Sequence, residues 1–116
     1  MKTILLVEDD PATARALVRL LGDYGRVQHA GSLSEARVRL LYGPKVDLVV
    51  TDWRFPAEPS GPELEGAGVR VLAYARQVKA PAVVFSGSEQ PAEGVPWVVK
   101  GDVDGLRAAV REELDR

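Results

Sequence analysis

ILLVEDDP, residues 4–11, sets four aliphatic residues against three acids and a proline, and their order carries the information. Ile4 to Val7 is an unbroken apolar run with no polar alternation, which suits a strand buried on both faces, as in a parallel sheet covered by helices. Glu8 and Asp9 follow where that strand must end. Asp10 then reads as a helix N-cap with Pro11 in the first turn. Ala14, Leu17, Val18 and Leu21 recur at spacings that line one helical face, and Gly22 closes the helix.

The same alternation repeats along the chain. Apolar runs bounded by turn residues occur at Val46–Thr51, Ala82–Phe85 and Trp97–Val99, with a weaker one at Arg26–Ala30. Ser32 and Glu35 form a capping box ahead of Ala36, Val38, Leu40 and Leu41, and Gly43-Pro44 stops that second helix. The spacing predicts a third helix over Ala67–Gln77 and a last one over Val103–Leu114, with Asp102 as its N-cap. Strands alternating with helices, joined by right-handed crossovers, give an open parallel sheet with helices on both faces and a crevice at the carboxyl ends of the strands.

At 116 residues the sequence has the length of one domain, 1–116, with no repeat and no linker. Its 15 basic and 17 acidic residues are interspersed, so no basic patch marks it for nucleic acid. The absence of cysteine excludes disulfides and thiolate metal sites. The amino-terminal apolar run is too short to span a membrane and meets acids at once, unlike a signal peptide, so a cytoplasmic protein without membrane partners is expected.

The polar residues that break the apolar pattern fall where strands end. Glu8 and Asp9 follow the first strand, Asp52 the third, Ser86 the fourth and Lys100 the fifth, so the fold would gather all five on one edge. Clustered carboxylates repel unless a hard cation neutralises them, and Mg²⁺ takes carboxylate oxygens and bridges to phosphate. A carboxylate is also a nucleophile toward phosphorus. Lys100 would neutralise phosphoryl oxygens and Ser86 would donate a hydroxyl hydrogen bond. Singly, each has a plainer reading: acids at a helix start, a turn serine, a solvated lysine. Their joint occurrence at successive strand ends is the specific signal.

The set ILLVEDDP, VDLVVTDWRFP, AVVFSG and WVVK resembles the signature of the response regulator receiver domain of two-component signalling, over nearly the whole chain. That resemblance implies a flavodoxin-like, doubly wound, five-stranded parallel sheet of order 2-1-3-4-5. It implies Asp52 as phospho-acceptor and Glu8, Asp9, Asp52 and the Arg54 backbone carbonyl as Mg²⁺ ligands. Ser86 becomes the switch hydroxyl, Lys100 the phosphoryl-sensing lysine and Trp97 the aromatic switch residue, while Pro56 matches four residues after the acceptor. The implied partners are a histidine kinase or phosphotransfer protein and a downstream effector. Because the sequence stops at Arg116 after the last helix, no attached effector domain is expected.

Three departures qualify the resemblance. Lys100 is followed by Gly101 instead of the proline usual in receivers, which gives up that residue's bias toward a cis bond. Only GSEQPAEGV, residues 87–95, separates Ser86 from Pro96, too little for a regular crossover helix, so helix four is expected to be absent or reduced to one turn and the usual output face lost. RFPAEPSGPELEG, residues 54–66, either orders around metal or partner or forms an exposed excursion, and its prolines and glycines favour the excursion.

Two further function classes compete with a working phospho-acceptor. A degenerate receiver would bind proteins independently of phosphorylation, as Gly101 and the short segment suggest. A Mg²⁺-dependent phosphohydrolase would use the same aspartyl nucleophile, but the place two residues on, where a general acid is needed, holds Arg54, so receiver-type self-phosphorylation without enzyme turnover is expected. His29 is expected to be structural and remote from the site edge.

Overall fold

The computed structural model describes residues 1–87 and 94–116. Five strands, β1 (Thr3–Val7), β2 (Arg26–Ala30), β3 (Leu48–Thr51), β6 (Ala82–Ser86) and β7 (Trp97–Val99), form one parallel sheet; β4 (Phe55–Pro56) and β5 (Glu63–Leu64) pair antiparallel apart from it. The sheet order β2-β1-β3-β6-β7 is the expected 2-1-3-4-5 once the small pair is set aside. Four helices occur among the described residues: α1 (Pro11–Leu21), α2 (Leu33–Tyr42), α3 (Ala67–Gln77) and α4 (Val103–Leu114). The expected loss or shortening of helix four falls mainly on residues 88–93, outside the described residues.

Period-two side chains split the core. Leu5, Val7 and Val49 face one way and pack with Leu33, Ala36 and Leu40 of α2 and Val71 and Ala75 of α3. Ile4, Leu6, Leu48, Val50, Val83 and Phe85 face the other way, against Leu21 of α1 and Leu106 and Val110 of α4. Having helices on both faces explains why the central strands read as continuous apolar runs.

The expected caps form. Asp10 accepts from Thr13 N at 2.9 Å and Asp102 from Gly105 N at 2.9 Å. Ser32 accepts from Glu35 N at 3.3 Å, but the reciprocal half of the capping box is replaced by Ser32 Oγ donating to Glu35 Oε1 at 3.0 Å. Val38 corrects the expected apolar face of α2: it is exposed, while Ala36 and Leu40 are buried.

The loop after Asp52 is not the exposed excursion its composition suggested. Phe55 is fully buried in the α2–α3 core, Pro56 is buried beside it, and Ala57 O accepts from Ser34 N of α2 at 2.9 Å. Residues 58–60 are exposed, so the excursion is confined to the tip. A large aromatic outweighed the proline and glycine signal, because burying it stabilises by about 2 kcal/mol or more.

Candidate functional site

The chain leaves β1 toward β2 on one side and later returns to β3 on the other, so a crevice opens beyond the carboxyl ends of β1 and β3. Ladder bonds fix its floor: Glu8 N donates to Ala30 O at 3.0 Å and Asp52 N to Val7 O at 2.9 Å. One carboxylate oxygen from each of Glu8, Asp9 and Asp52 lies within 4.8 Å of the others, with Glu8 and Asp52 buried and Asp9 exposed.

Lys100 reaches this cluster from the end of β7. Its N–H bonds to Ser86 O at 2.8 Å, its Nζ lies 3.0 Å from Asp52 Oδ2 and 3.5 Å from Glu8 Oε2, and the ammonium stands over the Phe85 ring at 5.4 Å. Burial works against the charge on Lys100, but the Asp52 hydrogen bond and the charges of Asp52 and Glu8 outweigh it, so its pKa lies above the ordinary value. Burial pushes the Glu8 carboxyl up; the Asp10 N–H and Lys100 oppose this, and the Asp52 and Asp9 charges add to it.

The expected site residues thus meet at one edge, with differences in detail. Ser86 is the last residue of β6 instead of following it, and it is buried. Trp97 lies opposite Val84 while Val99 lies opposite Ser86, so Trp97 shares the Ser86 face of the sheet. Its indole Nε1 is buried without a hydrogen-bond partner. Arg54 is exposed two residues beyond Asp52. Gly101 adopts φ +98, a conformation glycine takes without strain, and no cis peptide occurs among the described residues. His29 corrects its expected remoteness: parallel pairing with Leu6 brings it to the crevice edge, where Nε2–H donates to Glu8 O at 2.7 Å.

The donor set suits a hard divalent cation. Glu8 Oε2 is buried without a hydrogen-bond partner and has only the Lys100 ammonium beside it, an arrangement that costs desolvation. The spread of the three acids is close to the about 3 to 4 Å between oxygens that share a Mg²⁺ ion.

Sequence reasoning missed Trp53 and Gly68. Trp53 N donates to Asp52 Oδ1 at 2.7 Å, and Trp53 O accepts from Gly68 N of α3 at 3.1 Å. The adjacency of Trp53 to Asp52 was visible, but no local pattern links it to a glycine across a proline-rich loop.

No family model matches the chain, and no curated protein matches it in sequence. Solved structures do match. A response regulator receiver protein from Sinorhizobium medicae WSM419 is 27% identical, with a TM-score of 0.80 over 98% of this chain and 94% of that one. The Francisella response regulator 1452 receiver domain is 19% identical, with a TM-score of 0.80 over 100% and 98%. The CheY-like receiver domain from Methanospirillum hungatei JF-1 is 16% identical, with a TM-score of 0.80 over 99% and 94%. From its first strand to its last helix, this chain has the fold of the response regulator receiver domains.

Proposed function

We propose that this chain is a phospho-acceptor of a two-component phosphorelay, taking a phosphoryl group onto Asp52 from a phosphohistidine of a histidine kinase or phosphotransfer protein. The observation that carries the reading is a buried carboxylate at the sheet crevice with a lysine 3.0 Å from its Oδ2 and two further acids at metal-binding spacing. An Asp52 oxygen attacks phosphorus, the P–N bond breaks, its electron pair leaves on the imidazole nitrogen, and an aspartyl phosphate remains. The carboxylate is already ionised, so it needs no base.

Glu8, Asp9, Asp52 and the Arg54 carbonyl are the groups that would hold Mg²⁺, which when bound offsets negative charge on the transferring phosphoryl group. Lys100 neutralises the new dianion from the β7 side, and Ser86 offers its hydroxyl from β6. Because Trp97 shares the Ser86 face, inward movement of Ser86 makes room for the indole to repack, biasing two conformations of the surface an effector reads. The chemistry ends at the acyl phosphate and its own hydrolysis, without turnover of phosphate esters. The location that fits such partners is the cytoplasm, and no described helix is long and apolar enough to cross a membrane.

Gly101 favours a second reading, a receiver-like binding module without the switch, since the chain after Lys100 lacks the usual proline. One experiment separates the two. Incubation with a small phosphoramidate donor and Mg²⁺ is expected to add one phosphate by intact mass to the wild type and none to Asp52→Ala. Equal labelling of both proteins refutes the acceptor assignment, and no labelling of either favours the module.

A further inference from the structure

Asp52 is held from two sides. Lys100 meets Oδ2, and Oδ1 accepts from the N–H of Trp53 at 2.7 Å. What fixes Trp53 comes from α3. That helix begins after Gly66 with no side-chain cap, so its first-turn amides need acceptors from elsewhere, and the Trp53 carbonyl takes one of them from Gly68 at 3.1 Å. The indole lies against the same residue. A Cβ built on Gly68 would overlap Trp53 Cε3 and stand 2.9 Å from Cδ2 and 2.8 Å from the Trp53 carbonyl oxygen, closer than real side chains come. Gly68 is buried, so α3 has no simple way to move aside.

We propose that Gly68 is a positioning residue for the acceptor: its bare Cα seats the Trp53 indole, its N–H fixes the Trp53 carbonyl, and together they set the direction of the Trp53 N–H that orients the Asp52 carboxylate. The inference rests on the acceptor reading of Asp52. It gives α3 a part in the chemistry, although none of its side chains enters the crevice cluster of Glu8, Asp9, Asp52 and Lys100. It also explains how the acceptor keeps its geometry beside the insertion at residues 54–66, because the Trp53–Gly68 contact clamps the two ends of that loop together. A displacement of an ångström at a reacting group is enough to cost about a hundred-fold in rate.

The test compares Gly68→Ala, Trp53→Ala and Trp53→Phe with the wild type, each confirmed folded by far-ultraviolet circular dichroism. Labelling from the phosphoramidate donor is followed at saturating donor and Mg²⁺, and the ¹³Cγ resonance of Asp52 is recorded without donor. Gly68→Ala and Trp53→Ala are expected to lower the maximal labelling rate about ten-fold, with half-saturation by donor nearly unchanged, and to shift the Asp52 resonance. Trp53→Phe, which keeps a ring on Gly68, is expected to stay within about two-fold. Should Gly68→Ala fail to fold, Trp53→Ala decides alone, because it removes the indole without crowding α3. Loss of stability with an unchanged maximal rate and an unmoved Asp52 resonance would mean that Gly68 only packs, and would overturn the inference. If the wild type takes no phosphate, the acceptor reading fails, and the Asp52 resonance alone decides whether Gly68 positions the carboxylate.

Discussion

Glu8 is a carboxylate fully withdrawn from water, with one oxygen on the Asp10 N–H at 3.0 Å and the other without a hydrogen-bond partner. Its folded pKa is raised, so in the metal-free protein its charge opposes folding at neutral pH, and that cost is relieved as pH falls through the folded pKa toward the ordinary value of 4.5. Glu8→Gln removes the charge and keeps the shape. It is therefore expected to be more stable than the wild type in EDTA at pH 7, by about 1 kcal/mol, with the gap narrowing at pH 5. Urea denaturation at the two pH values checks the sign, and a variant less stable at pH 7 shows that the Lys100 contact outweighs burial. Glu8, Asp9, Asp52, Ser86 and Lys100 were legible in the sequence because each stands where an apolar run stops. The roles of Trp53 and Gly68 were not, because they arise from a close approach between distant backbone segments.

Among the elements, the five sheet strands and four helices could be read from apolar runs and caps, with differences only at strand ends: β1 starts one residue earlier at Thr3, and β3 two later at Leu48. The β4–β5 pair could not, since two-residue strands bracketed by prolines carry no period. Nor could the outward turn of Val38, because a branched aliphatic on a helix looks the same buried or exposed. Phe55 is the hinge between these cases. It lies three residues past Asp52 and fills the core between α2 and α3, so it anchors the loop that leaves the acceptor. Phe55→Ala is expected to destabilise the fold by about 3 to 5 kcal/mol. It should also raise proteolytic cleavage within residues 57–65, read by limited proteolysis with mass spectrometry. A loss below about 1 kcal/mol would show that the loop is held mainly by the Ser34–Ala57 hydrogen bond.

For the whole molecule, topology places the acids and burial makes them costly. Helices on both faces leave the carboxyl edge of the sheet as the place where Glu8, Asp9 and Asp52 meet, and right-handed crossovers alone were enough to foresee that meeting. Their distances and the Lys100 pairing needed the folded chain, because a lysine after a strand is ordinarily solvated. A cation that binds only the assembled crevice must stabilise the native state, since the unfolded chain holds Glu8 and Asp52 far apart. At ten times its dissociation constant such an ion adds about 1.4 kcal/mol. For a chain of this size that corresponds to a rise of about 4 to 8 °C in Tm. Mg²⁺ is therefore expected to raise Tm, measured by differential scanning calorimetry at constant ionic strength, while K⁺ at matched ionic strength does not. Asp52→Asn should lose most of the rise, because the buried site then offers one charge fewer. An equal rise in that variant would place the bound cation outside the crevice and separate metal binding from the acceptor.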